Sequence, residues 1–551
     1  MSANEVSTIQ PAKPRPEPKT IRTVDSSGEV LSSLTPELVI ALCGPIGSPL
    51  HEAGDAFSSG LTAYGYTTEK IRLSDLISIN AERVNIEVDR SGGRLNEIKC
   101  LIHAGDQLRM AFGNDILAKF SIAKIKADRE ARFGAFKDAV AENDAIDTQK
   151  ISRQRVCHII DSIKNRSELD LLRHVYGDAL LAIGVFSPLE VRIANLENAG
   201  TNSISSDQVS QLIDIDSGEE FSHGQSVRDT FPRCDFFMRI DHSIRPPNEE
   251  IAVGQITTKV RRILGLVFKT SVITPTHEET AMYAAASAAR NSACMSRQVG
   301  AAVASSSGEL LSVGWNDVPQ PGGGLYGKPS LDYVKFKAAD DRCFGQPGSK
   351  CHNDEEKKGI AAFLGQTLVN EGLISADKLS TAIDLISKSR VRDLIEFSRA
   401  VHAEMHAILG AGRVAGERIV GGKIFVTTYP CHSCARHIVA AGIVEVHYIE
   451  PYRKSMATKL HKDALTESVS DESKVRLIQF DGVAPRRFID VFEAGTRKQG
   501  GVLSLPPKEG AEPATQVSLK AIPRLEEVVV AELATKNLTF PPVSKALPQG
   551  S

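Results

Sequence analysis

At 551 residues the chain is long enough for two or three domains, each with its own core. A net charge of −3, from 65 basic and 68 acidic residues, leaves no polyelectrolyte field to drive nucleic-acid binding. No run of 18 apolar residues and no signal peptide is legible, and nine scattered cysteines suit reduced thiols, so a cytoplasmic protein without membrane contact is expected.

Residues 1–35 carry Pro11, Pro14, Pro16 and Pro18 among charges and serines and read as a flexible leader. An α/β unit is expected over residues 36–255. It opens with Leu38-Val39-Ile40-Ala41-Leu42, a buried parallel-strand pattern, followed by Cys43-Gly44-Pro45-Ile46-Gly47-Ser48. A Gly-rich turn between strand and helix offers backbone N–H groups to phosphate, which makes Gly44, Gly47 and Ser48 candidates for nucleotide contact. Laid on G-x-x-x-x-G-K-[ST] from Gly44, the closing positions are Pro49, Leu50 and His51, so the second glycine, the lysine and the hydroxyl are missing. Asp161, after Val156-Cys157-His158-Ile159-Ile160, is either a Walker-B-like metal carboxylate or a strand-end residue capping the next segment.

A second unit is expected over 256–500. Thr276-His277-Glu278-Glu279 is a capping-box pattern opening an alanine-rich helix. Gly300-Ala301-Ala302-Val303-Ala304, a turn, and Leu310-Leu311-Ser312-Val313-Gly314 read as a hairpin. The stretch from Pro319 to about Arg392 is too long for a simple connection. Within it, Cys343, Cys351 and His352 are either part of a second, structural zinc site or ordinary free side chains. Its later part, 360–386, has helical periodicity and suits a lid or an oligomer contact. A helix over 398–410, stopped at Gly410 and Gly412, carries His402 and Glu404. Strand Ile424-Phe425-Val426-Thr427-Thr428, helix 435–441 and strand Val444-Glu445-Val446-His447-Tyr448-Ile449 complete the unit. Residues 501–551 read as a tail, with one short element at Val528-Val529-Val530.

The chemistry is concentrated in two of these segments. His402-Ala403-Glu404 and, after a gap of 25 residues, Pro430-Cys431-His432-Ser433-Cys434 spell H-x-E…P-C-x-x-C, the pattern of zinc deaminases acting on cytosine or adenine. One imidazole and two thiolates, His402, Cys431 and Cys434, hold Zn2+ with one position open, and Glu404 stands beside the metal as a free carboxylate for proton transfer. A redox cysteine pair or a purely structural zinc explains neither the upstream H-x-E nor Pro430. His406, four residues after His402, is expected to pack behind the site, and His432 to point away from the metal.

Ser296-Arg297-Gln298-Val299-Gly300-Ala301, Gly314-Trp315-Asn316-Asp317-Val318-Pro319 and Thr428-Tyr429-Pro430-Cys431-His432-Ser433-Cys434-Ala435 resemble the deoxycytidylate deaminases. The resemblance is closer still to the bacterial anti-phage dCTP deaminases, extending to Gly224-Gln225-Ser226-Val227-Arg228-Asp229-Thr230-Phe231 and Ile449-Glu450-Pro451-Tyr452-Arg453-Lys454-Ser455. It implies an α/β protein: an N-terminal P-loop-like parallel-sheet domain fused to a C-terminal cytidine deaminase-like α/β/α domain. Gly105-Asp106-Gln107-Leu108-Arg109 and Asp161-Ser162-Ile163-Lys164-Asn165 are similar to nucleotide-kinase-like domains. The implied activity is conversion of free dCTP and dCMP to dUTP and dUMP in anti-phage defence, by a homo-oligomer under a regulatory nucleotide or a separate inhibitor. The altered N-terminal turn is then expected to bind a nucleotide without cleaving it. Asn316 resembles a sugar-binding asparagine or is a turn residue, and Arg297, Arg453 and Lys454 are phosphate candidates or solvated surface charges. A housekeeping dCMP deaminase serving dTMP synthesis is the alternative. A deaminase of tRNA or single-stranded DNA needs a basic channel with aromatic platforms, and aromatics are only 5% here, so no stable nucleic-acid partner is expected.

Overall fold

The computed structural model describes residues 26–88, 93–133, 154–197, 207–209, 212–213, 227–326, 341–451, 455–519 and 521–538. Two six-stranded sheets organise a mixed α/β architecture. In the first, β1 (Leu38–Cys43), β2 (Thr67–Arg72), β3 (Val156–Ile163), β4 (Leu180–Phe186) and β5 (Phe236–Arg239) run parallel in the spatial order β2-β3-β1-β4-β5. Parallel neighbours require covered crossovers, and β1 is accordingly buried at every residue, which is why it reads as an unbroken apolar run. Helix α1 (Leu50–Thr62) packs on the face of Leu38, Ile40 and Leu42, and α2 (Ile116–Phe133) and α3 (Arg166–Tyr176) pack on the opposite face with Val39 and Ala41. Asp161 sits inside β3, and the cap of α3 is Asn165, whose side chain accepts from Ser167 N while Glu168 closes a capping box. The buried Glu168 also holds the fully buried Arg109 at 2.9 Å.

The second sheet follows α4 (Glu249–Val267) and α5 (His277–Ala289). Strands β6 (Gly300–Ala304) and β7 (Leu310–Trp315) form the expected hairpin. The long insertion then contributes α6 (His352–Asn370) and α7 (Leu379–Lys388), packed on each other through Gly365 and Ile383. Helix α8 (Ala403–Val414), β8 (Lys423–Thr428), α9 (His432–Ala440), β9 (Glu445–Glu450), β10 (Leu465–Thr466) and β11 (Val475–Gln479) complete it, in the order β10-β11-β9-β8-β6-β7. Strand β6 is antiparallel to both β7 and β8, and the remaining pairs are parallel.

Helix α8 differs from expectation at both ends. It starts at Ala403 because Val401 is held extended by an antiparallel bridge to Asp317, leaving His402 as the N-cap. It runs through Gly410 because that glycine is a contact rather than a stop: a Cβ there would lie 2.4 Å from Ser312 Oγ, just as one on Gly314 would meet Ala407 N at 2.4 Å. Glycine on both sides lets the helix lie directly on β7.

The two sheets share one continuous hydrophobic cluster, in which Phe237 of β5 meets Phe480 with ring centroids 5.9 Å apart. Strand β12 (Gly482–Val483), immediately after β11, crosses over to pair antiparallel with β5. Glu279, the capping-box glutamate of α5, fixes this junction: it accepts from Thr276 N, Val483 N and both terminal nitrogens of Arg262, all at 2.8–2.9 Å. The division expected at 255/256 falls inside α4, whose Val260 and Leu264 pack against Gly60 of α1. Glu279→Ala leaves these donors unpaired at a buried junction. It is expected to cost about 2–4 kcal/mol, read from the urea midpoint of the full chain.

The C-terminal stretch contributes α10 (Ile522–Thr535), docked on α2 by the Lys119–Glu532 pair at 2.8 Å and by Arg129 with the buried Glu526. Leu34–Thr35 pairs antiparallel with Val517–Ser518 close by. Ile522, Glu526, Val529 and Leu533 form the buried face, and the glutamate in that stripe hides the apolar period from a reading of the sequence. No helix among the described residues is long and apolar enough to cross a membrane.

Candidate functional site

Helices α8 and α9 begin side by side. His402 and Cys431 are their N-caps, Glu404 lies in the first turn of α8, and Cys434 lies three residues into α9. The His402 Nδ1 atom stands 3.3 Å from Cys434 Sγ and 3.4 Å from Cys431 Sγ. These three residues are the one group of metal-ligand type found among the described residues, with ligand atoms all within 4.8 Å of one another. Two donors at ordinary zinc bond lengths and tetrahedral angle are about 3.6 Å apart, so the spacing fits the ion. One imidazole and two sulfurs is a zinc donor set, and three protein ligands leave a position for a reactant.

The protonation pattern shows why the cluster suits a cation. The Cys431 thiol is pulled down to about 4, first by its hydrogen bond with Cys434 and then by His402, against burial. Cys434 is pushed well above the usual thiol range, by that same bond and by burial. The opposite shifts describe one negative charge shared between two sulfurs, with His402 raised to about 8 chiefly by its bond to Cys431. A divalent cation replaces the protons that the group otherwise shares. Glu404 is buried at 5% exposure, and burial raises its carboxyl above the ordinary carboxylate range.

A cavity of about 970 Å³ opens over the group, lined by the 293–299 segment, the end of β7, the insertion and residues 455–459. That is within the range of small-molecule sites. Residues 275–450, which contain the ligand cluster, match the family profile of the cytidine and deoxycytidylate deaminase zinc-binding region. The C-terminal half therefore carries a cytidine/deoxycytidylate deaminase domain. Its cofactor is zinc. The ComE operon protein 2 of Bacillus subtilis (strain 168) is 45% identical to this chain over 56 residues, which are 10% of this chain and 29% of that protein. The deoxycytidylate deaminases of Enterobacteria phages T2 and T4 are 26% identical over 166 residues, 30% of this chain and 76% and 74% of theirs. The solved dCMP deaminase of cyanophage S-TIM5 aligns over 38% of this chain and all of its own apo chain, at 16% identity and a TM-score of 0.21.

Other residues singled out from the sequence fall on and around the deaminase domain's cavity. Asn316 lines it, yet its amide is engaged by backbone: Oδ1 accepts from Val299 N at 2.7 Å and Nδ2 donates to Arg297 O at 2.9 Å. Arg297 lines the cavity as well and pairs with Glu450 at 2.9 Å. Arg453 and Lys454 lie outside the described residues. Cys343, Cys351 and His352 all border the cavity without converging as a ligand group, and the His352 ring bonds Gln346 Oε1 at 2.8 Å. His406 packs edge-on against Trp315 and accepts from its backbone N–H, behind the site. His432 also borders the cavity, 3.9 Å from Glu396.

Sequence reasoning missed that the insertion walls the cavity with Arg342, Lys357, Arg390 and Arg399, and that Lys459 joins them. Scattered cations in a polar stretch carry no pattern. Only the fold brings them to one surface.

In the first sheet the carbonyls of the Gly-rich turn are held by side chains of the protein itself. Lys164 Nζ donates to Gly44 O, Arg192 Nε to Ile46 O and Asn195 Nδ2 to Gly47 O, at 2.7–2.8 Å. A Cβ on Gly44 would lie 2.2 Å from Val185 O, so this glycine serves the close approach of β1 and β4. The Ser48 hydroxyl is buried with no partner among the described residues. Asp161 pairs with His51 and accepts from Ser162 at 3.1 Å. The space beside that pair, bounded also by Lys70 and Arg72, is about 10 Å³, enough for a water-sized group.

Proposed function

We propose that the chain is a zinc-dependent hydrolytic deaminase of free deoxycytidine nucleotides, converting dCTP and/or dCMP to dUTP or dUMP and ammonia. The observation that carries the reading is a buried, uncoordinated carboxylate, Glu404, beside a His/Cys/Cys group that floors a cavity of nucleotide size. Zinc, when bound, supplies the Lewis acidity that makes water nucleophilic at neutral pH. His402, Cys431 and Cys434 hold the ion. Glu404 accepts the proton of the attacking water and delivers it to N3 of the base; it then takes the hydroxyl proton of the C4 adduct and passes it to the amino nitrogen, which leaves as ammonia as the C4 carbonyl forms. A carboxyl lifted by burial suits both directions of transfer. Asn316, its amide already engaged, keeps one donor and one lone pair for a sugar hydroxyl. Arg297, Arg390 and Lys459 on the wall are assigned to the phosphates, whereas Arg342 is buried in a pair with Asp317.

The resemblance to anti-phage dCTP deaminases supports a role in draining dCTP during infection, in a homo-oligomer. The N-terminal unit then serves as the control element, a degenerate P-loop-like domain without phosphoryl transfer, answering to a nucleotide or a separate inhibitor. Deleting it at 256 would cut α4 and bare Phe480, so control has to be tested in the full chain.

The deciding experiment is ammonia release by purified full-length protein from dCMP, dCTP, CTP and single-stranded DNA, with NTP hydrolysis followed in parallel. Turnover of dCTP or dCMP above the others is expected, with no NTP hydrolysis. Preferential attack on the oligonucleotide defeats the reading, and turnover of dCMP alone favours a housekeeping role in dTMP synthesis.

A further inference from the structure

Asp317 gathers more of the cavity wall than any motif suggests. Its carboxylate is 2% exposed, and Oδ2 accepts from Ala293 N and from Arg342 Nη1, each at 3.1 Å. Oδ1 accepts from Val318 N at 2.8 Å. Its backbone forms the two-way bridge to Val401, donating at 3.2 Å and accepting at 2.9 Å, and the next residue is the ligand His402. One residue therefore touches the segment after α5, the insertion through Arg342 and the extended residue that precedes the ligand histidine.

Arg342 is the insertion's end of this tie. It is buried, and its guanidinium lies 5.0 Å over the Phe344 ring. Beyond it the insertion holds together internally. Arg399 donates to Asp341 O at 2.9 Å, Lys357 to Arg392 O at 2.8 Å, and Asn353 to Leu394 O at 3.2 Å. The segments 351–357 and 390–400 that form the cavity wall are thus tied to each other and to Asp341. The pair that fastens this wall to Asp317 is buried at both ends, with side chains 8% and 2% exposed.

We propose that Asp317 is a positioning residue for deamination: through the buried Asp317–Arg342 pair it holds the insertion closed over the zinc site, in register with His402. The inference rests on the proposed deaminase reading for its kinetic consequence, and on the wall geometry alone for its structural one. Neither member of the pair belongs to the ligand group or carries the transferred proton, so its loss weakens capture of the substrate more than the proton transfers. Asp317→Asn keeps one acceptor oxygen, for either Ala293 N–H or Val318 N–H, while removing the charge that pairs with Arg342, and Arg342→Met keeps bulk without the guanidinium.

The test uses the full chain with Asp317→Asn, Arg342→Met and the double variant. Zinc content should match the parent, while KM for the best nucleotide rises about ten-fold and kcat stays within about three-fold. The double variant should be no worse than the more severe single, since both remove the same interaction. Amide hydrogen exchange supplies the readout that does not need turnover: residues 352–388 should exchange about ten-fold faster in each variant while residues 50–62 keep the parent rate. Unchanged exchange in the insertion, equal acceleration in both regions, or additive kinetic effects would overturn the tie. A parent that deaminates no deoxycytidine nucleotide defeats the proposed function instead, and the exchange result then judges the tie by itself.

Discussion

Glu404→Gln is expected to give a folded, zinc-loaded protein whose kcat is about 100- to 10,000-fold below the parent, the usual worth of a positioned proton carrier. That span corresponds to roughly 3–5 kcal/mol of lost transition-state stabilisation. The amide matches the carboxylate in shape, so the helix start and the ligand cluster are undisturbed. It can neither accept the proton of the attacking water nor return one to the leaving nitrogen. The carboxylate coordinates nothing in the group of His402, Cys431 and Cys434, so metal content should not change. Nor should folding suffer, since a buried ionisable group is replaced by a neutral one. Zinc analysis, urea unfolding and steady-state kinetics on one preparation make the comparison. A variant retaining more than about a tenth of the parent's kcat would remove Glu404 from the proton-transfer role.

That residue was legible because its meaning is local. H-x-E places a carboxylate two positions from a ligand, and C-x-x-C places two sulfurs over one helix start, whatever the rest of the chain does. Strands β1, β3, β6 and β8 were legible for a similar reason, being short apolar runs between turn residues. The contacts that hold the site in place are of another kind. Asp317 and Arg342 are separated by 25 residues, and Glu279 and Val483 by 204. No period or spacing links such pairs: the sequence announces Glu279 only as a capping-box residue of its own helix, and the other three by nothing that points to their partners. Helix α8 illustrates the competition in miniature. Residues 398–402 have the composition of a helix, but Val401 is captured by Asp317 across the sheet edge, so tertiary hydrogen bonding overrides local propensity and delivers His402 as a cap. The Gly-rich turn shows a further case: its carbonyls accept from Lys164, Arg192 and Asn195, which lie 120, 146 and 148 positions away and are announced by no spacing in the turn itself.

Removal of one sulfur ligand should have the larger effect of the two central substitutions. Cys434 is fully buried in the first turn of α9 and lies 3.3 Å from His402, so Cys434→Ala strips one of the three ligand atoms from the site. Losing an outer partner of a metal ligand typically costs roughly 10- to 100-fold in affinity, and losing the ligand itself costs more. The variant is therefore expected to be purified without zinc and without measurable deamination. It should also unfold earlier than the zinc-loaded parent, because an ion bound only by the folded state stabilises it by mass action. Chelator-treated parent should reproduce both losses and recover on addition of zinc but not magnesium, whose preference for six oxygen ligands this group cannot meet. Cys434→Ala should recover with neither. Full activity in zinc-free parent, or a Cys434→Ala protein that keeps its metal, would show that this cluster is not where the enzyme holds its ion.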